Sequence, residues 1–116
     1  MDHISFITTE DLDDLIVSFV ISSSELSDVR GITLIRTPKY EPLLDESDRG
    51  VTVSDDLVAG ESFLEAVRIT DLTVTLRTGS ATYQLDISEI ASQELREATA
   101  VLHKMNFDNA FELTLA

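Results

Sequence analysis

Phe63-Leu64-Glu65-Ala66-Val67-Arg68-Ile69-Thr70-Asp71-Leu72-Thr73-Val74-Thr75-Leu76-Arg77-Thr78-Gly79-Ser80-Ala81-Thr82-Tyr83-Gln84-Leu85-Asp86-Ile87 decides the fold class. Val67 and Ile69 alternate with Arg68 and Thr70. Leu72, Val74 and Leu76 alternate with Thr73, Thr75 and Arg77, and Tyr83, Leu85 and Ile87 alternate with Gln84 and Asp86. Side chains of a strand point to opposite faces in turn, so this period of two predicts strands with one buried face. Thr70-Asp71 and Thr78-Gly79-Ser80 are turn signals. The stretch reads as a three-stranded antiparallel meander.

Strands extend on both sides of it. Leu15 to Ile21 is β-branched and aromatic, with apolar residues on both faces, and reads as a central strand. Ser22 to Arg30 reads as a polar connection, and Gly31 to Thr37 as a strand stopped by Pro38, which cannot donate to a ladder. Val51-Thr52-Val53 is a short strand, and Phe111 to Leu115 alternates as a last one. One helix of about 14 residues is expected from Ser92 onward. Leu95, Ala98, Leu102 and Met105 recur at helical spacing, Ser92 is placed to cap, and Asn106 or Asn109 to end it. The expectation is a single α+β domain, 1–116, with a mostly antiparallel sheet of six or seven strands and the C-terminal helix packed on it.

Charge bounds the function. The chain has 22 Asp and Glu against 8 Lys and Arg, a formal net charge of −14 on 116 residues. The acids are spread along the whole chain, so the charge belongs to the folded surface. Such a surface repels nucleic acid and anionic membranes and attracts basic partners. There is no cysteine, hence no disulfide or thiolate chemistry. The N-terminus Met1-Asp2-His3-Ile4-Ser5-Phe6 lacks the basic and apolar regions of a signal peptide, and no apolar run is long enough to span a membrane. A cytoplasmic location is expected.

No catalytic motif accompanies the charge. Nucleophile elbows, zinc-hydrolase helices and glycine-rich phosphate loops are absent. His3 and His103 are isolated, His3 near a terminus expected to fray. Asp45-Glu46-Ser47-Asp48-Arg49-Gly50 resembles the start of a calcium loop, but Arg49 places a cation where a ligand is needed, so it reads as an acidic turn. Asp11, Asp13 and Asp14 read as a solvated strand start. The chain is read as no enzyme, with no metal and no cofactor.

The irregular stretch Pro38 to Gly60 gathers both prolines, two of the four glycines and six acids. Loops on a rigid sheet tend to carry function, and Tyr is enriched at interface anchors. The candidate partner-binding residues are therefore Tyr40, Glu41, Asp45, Glu46, Asp48, Asp55 and Asp56, facing a basic protein.

The order of signals resembles a family of bacterial immunity proteins from polymorphic toxin systems. The likeness covers roughly residues 29–105. It rests on Leu34-Ile35-Arg36, the acidic turn Asp45-Glu46-Ser47-Asp48, Gly50-Val51-Thr52-Val53, the strand pair from Val67 through Leu72-Thr73-Val74-Thr75-Leu76, Leu85-Asp86-Ile87, and a helix closing near Leu102. Ser54-Asp55-Asp56 fits only part of the family pattern after the Gly-Val strand. The resemblance implies a cytoplasmic, non-enzymatic inhibitor that neutralises a cognate toxin domain. The alternative expectation is a structural or assembly subunit that oligomerises through its sheet.

Overall fold

A computed structural model describes residues 1–22 and 29–116. Most of the polar connection expected after Ser22 lies outside the described residues. The elements run β1 (Asp2–His3), β2 (Phe6–Asp11), β3 (Leu15–Ser22), β4 (Val29–Arg36), β5 (Thr52–Asp55), β6 (Val58–Ile69), β7 (Thr73–Thr78), β8 (Thr82–Asp86), α1 (Ser92–Met105) and β9 (Glu112–Leu115). The α+β class holds, and β6, β7 and β8 are the antiparallel meander that the period of two predicts.

The sheet has nine strands in place of six or seven. The added strands are β1 and β2. Their signal is weak because an edge strand needs little burial: of β2's six residues only Ile7 is buried. The strand order is β1-β8-β7-β6-β5-β4-β3-β2, with β9 against β6. Two pairings, β1 with β8 and β6 with β9, are parallel. Residues 2–11 bend between the two ends of this path. The Ile4 amide donates to the Asp86 carbonyl at 2.9 Å, and the Ser5 amide to Val20 at 2.8 Å. One chain segment thus joins β8 to β3 and curls the sheet around a shared interior, leaving less open edge for unwanted pairing. His3 belongs to this seam; it is not frayed.

β6 is the hinge of the curl. Its first half pairs with β5 and its second half with β7 and β9, with register shifts at Ser54/Asp55 and at Leu64/Ala66. Such bulges increase local twist and bend the strand.

Val17, Phe19, Ile32, Leu34, Val67, Val74, Leu76 and Leu85 fill one core. Helix α1 lies against β2 and β3 and adds Ala98, Val101, Leu102 and Met105 to that core. Each large apolar side chain so buried contributes about 1.5–3 kcal/mol relative to exposure. Ala91 occupies the N-cap, with Ser92 the first helical residue and Asn106 the C-cap. Glu94 in the first turn accepts the Ile7 amide at 3.0 Å, satisfying a donor on the outer edge of β2.

Candidate protein-interaction site

Arg30, Ile32, Leu34 and Arg36 occupy alternate positions of β4 and share its inward face. The aliphatic middle belongs to the core. The two arginines end it, and each gathers a carboxylate from the acid-rich stretch that follows β4.

Arg36 holds the first end. Its Nε and Nη2 donate to Glu41 at 2.7 and 2.9 Å. Nη1 and Nη2 donate to Asp108 at 2.8 Å each, and Nη1 also donates to the Met105 carbonyl at 2.7 Å. All five guanidinium donors are thereby used. The Phe107 ring lies 4.3 Å from the guanidinium carbon, within cation–π range. The Arg36 side chain is 1% exposed. The hydrogen bonds to Asp108, then those to Glu41, raise its pKa, and Arg36 in turn holds the Asp108 carboxyl below the usual carboxylate range. This ion cluster ties the C-terminal end of α1 to the chain leaving β4.

The residues carried on that anchor point outward. Pro38–Leu43 forms a short 3-10 helix and Glu46–Asp48 another. Glu41 turns inward and is buried; Tyr40 and Leu43 turn outward, 54% and 84% exposed. A cleft of about 210 Å³ runs between Tyr40, Leu44, Asp48 and Thr52. Asp45, Glu46 and Asp48 are exposed, and among the described residues none forms an ion pair. Arg49, in the same turn, donates instead to the Leu44 carbonyl at 3.0 Å.

Two further segments join this end. The Asp14 carboxylate accepts the Thr37 hydroxyl at 2.6 Å, Lys39 pairs with Asp13 at 3.1 Å, and Lys104 pairs with Asp11. They bring the β2–β3 turn, with Leu12 75% exposed, beside the Tyr40 segment. Phe107, 60% exposed, enters over Arg36. Leu12, Tyr40, Leu43, Leu44 and Phe107, from three separate parts of the chain, therefore stand exposed at one end of the molecule. Monomeric proteins rarely group large apolar side chains at the surface without a binding role.

Asp55 and Asp56 belong to the other end. Asp55 is buried and accepts Arg30 Nε and Nη2 at 2.9 and 2.6 Å, while Arg30 Nη1 reaches Asp2 at 3.3 Å. The Arg30 guanidinium, then the Leu57 amide, hold the Asp55 carboxyl below its ordinary value. Asp56 is exposed and accepts the Gly31 amide at 2.7 Å.

The seven residues singled out in the sequence thus divide. Tyr40, Asp45, Glu46 and Asp48 are exposed on one segment, and Tyr40 and Asp48 line one cleft. Glu41 and Asp55 are counterions of the two β4 arginines, and Asp56 sits on the far hairpin. Leu12, Leu43, Leu44 and Phe107 escape sequence reasoning, since an isolated apolar residue in a turn carries no periodic signal. Among the described residues, no three acids or histidines converge as metal ligands, and no helix is long and apolar enough to cross a membrane. Comparison with protein-family models, with curated proteins and with solved structures finds no match to this chain.

Proposed function

We propose that the protein is an acidic immunity-type inhibitor that binds a basic toxin domain, with a nuclease the best fit to the charge, in the cytoplasm. The observation that carries this reading is the cleft of Tyr40, Leu44 and Asp48, with Leu12, Leu43 and Phe107 exposed at the same end and Asp45, Glu46 and Asp48 without an ion-pair partner among the described residues. An apolar centre with a charged rim is the anatomy of a protein interface. The rim attracts Lys and Arg of the partner and can raise its association rate about 10–10³-fold. The apolar centre then holds the complex, with Tyr40 as an anchor. Inhibition follows from covering the toxin's own basic active-site surface, and no chemistry is required of this chain.

Capture from the source cell with the tagged full chain, together with the identity of the neighbouring gene product, tests the reading. A basic toxin domain whose capture weakens with salt and with Tyr40→Ala supports it. No basic protein captured, and no toxin encoded alongside, overturns it.

A second reading is an assembly subunit. It is favoured by β9, which pairs with β6 alone and leaves its other edge open among the described residues. Sedimentation at low and high salt separates the two, since sheet-mediated oligomers persist in salt.

A further inference from the structure

We infer a second docking surface at the opposite end of β4: the cleft between the β5–β6 arm and the β7–β8 hairpin, which takes an arginine or lysine side chain of a protein partner. The cleft is about 280 Å³, with Val53, Val58 and the Tyr83 ring as apolar walls and Thr78, Asp55 and Glu61 as polar ones. A long aliphatic stem with a cationic head matches that lining, since such side chains bury the stem and keep the charge at the polar end.

The charge around the cleft selects the sign of the occupant. Asp55 is ionised and Arg30, its partner, is shared with Asp2, so that cluster carries one net negative charge. Glu61, in the lining, is exposed with no ion-pair partner among the described residues. An anion entering here would meet the carboxylates of Asp55 and Glu61. A metal ion would find the Asp55 oxygens occupied by Arg30 and the Leu57 amide. An organic cation needs neither vacancy, because it can lie over the Tyr83 ring and share its donors between Glu61 and backbone oxygens.

Those backbone oxygens are available. β7 pairs with β6 only from Leu64 onward, so Val58 to Phe63 have no strand on that side. Gly60, at φ +86°, bulges this edge, which disfavours a full added strand and favours a single inserted side chain. Val58, in the lining, and Leu57 just before it stand exposed, apolar surface for the protein that carries the cation. This surface shares with the proposed function only the expectation of a basic partner. It does not depend on the Tyr40 face.

The test is titration of the ¹⁵N-labelled full chain with an end-blocked Gly-Val-Arg-Val-Gly peptide and its citrulline counterpart. Saturable shifts at Gly60, Ser62, Ser80 and Tyr83 are expected. About tenfold weaker binding is expected for citrulline and for Glu61→Gln, the loss of one charge-assisted hydrogen bond. Glu61 is exposed, so the variant keeps the fold. Equal binding of both peptides, no effect of Glu61→Gln, no saturable shift, or shifts confined to Tyr40 to Asp48 each overturn the inference. The last result would leave the proposed function standing. Toxin capture that is lost with Tyr40→Ala but indifferent to Glu61→Gln likewise rejects this cleft alone.

Discussion

Arg30 and Arg36 stand six residues apart on the inward face of one strand, and their surroundings differ sharply. Arg36 is sealed, its five donors taken by two carboxylates and a helix-terminal carbonyl under an aromatic ring. Arg30, with its side chain 24% exposed, holds one buried carboxylate and a half-exposed one beside an open cleft. The same residue type therefore acts as a rigid anchor at one end and, at the other, as the counterion of an acid that lines an accessible cavity. The difference lies in how much water each end excludes, which sets both the strength of the ion pairs and the cost of breaking them.

Breaking the sealed end should have the largest effect. Arg36→Met leaves Glu41 buried without its partner and is expected to lower unfolding free energy by about 3–5 kcal/mol in urea titrations. Adding Glu41→Leu should recover part of that loss, because two apolar groups replace the stranded charge. Recovery of nothing would mean that Asp108 and the helix-end carbonyl dominate the anchor.

The open end should tolerate more. Arg30→Met is expected to lower stability by about 1.5–3 kcal/mol, the range for charge-assisted hydrogen bonds, with water reaching the freed carboxylates. If it matched Arg36→Met, the contrast between the ends would fail. The two ends also differ in acid. Asp55 has a folded pKa below its unfolded value, so its pairing stabilises above the unfolded pKa of 3.8 and the contribution fades as pH falls through the folded value. Arg30→Met should flatten that acid limb of the stability profile.

Charge on the exposed rim should matter least to folding. Asp45→Asn, Glu46→Asn and Asp48→Asn together are expected to change stability by no more than about 0.5 kcal/mol. Against a basic partner they should slow association and reduce its salt dependence, measured by stopped flow.

The smallest effect concerns the seam that positions Asp2 for Arg30. His3 contacts Asp86 at 3.3 Å and Glu89 at 3.1 Å, and hydrogen bonding to Asp86 first, then Glu89, raises its pKa above 6.5. A raised folded pKa means stabilisation present below the unfolded pKa and lost as pH rises through the folded one. The difference in urea midpoint between wild type and His3→Gln should therefore be seen near pH 5.5 and vanish by about pH 9. The Ser88 hydroxyl and amide, ahead of His3, hold Asp86 down to about 2, so Asp86 stays charged throughout that window.

Legibility followed periodicity. The meander, the helix stripe and β3 announce themselves because many side chains in a row obey one spacing. β1 and β2 do not, since Thr8-Thr9-Glu10-Asp11 on an edge strand reads like a loop. At the candidate site, Tyr40, Asp45, Glu46 and Asp48 are legible as an aromatic beside an acidic turn. Glu41 and Asp55 look identical to their neighbours until their counterions are known. Leu12 and Phe107 reach the Tyr40 face only through pairings such as Asp14 with Thr37 and Arg36 with Asp108, which join residues 23 and 72 positions apart.

By itself the sequence determined the acidic character, the α+β class and the alternating strands, because charge is additive and a strand's faces follow from local backbone geometry. Tertiary structure decided which acids are surface and which are counterions, how residues 2–11 close the sheet, and which apolar residues meet at one end. Those outcomes depend on contacts distant in the chain and on the water each contact excludes, and no local spacing encodes them.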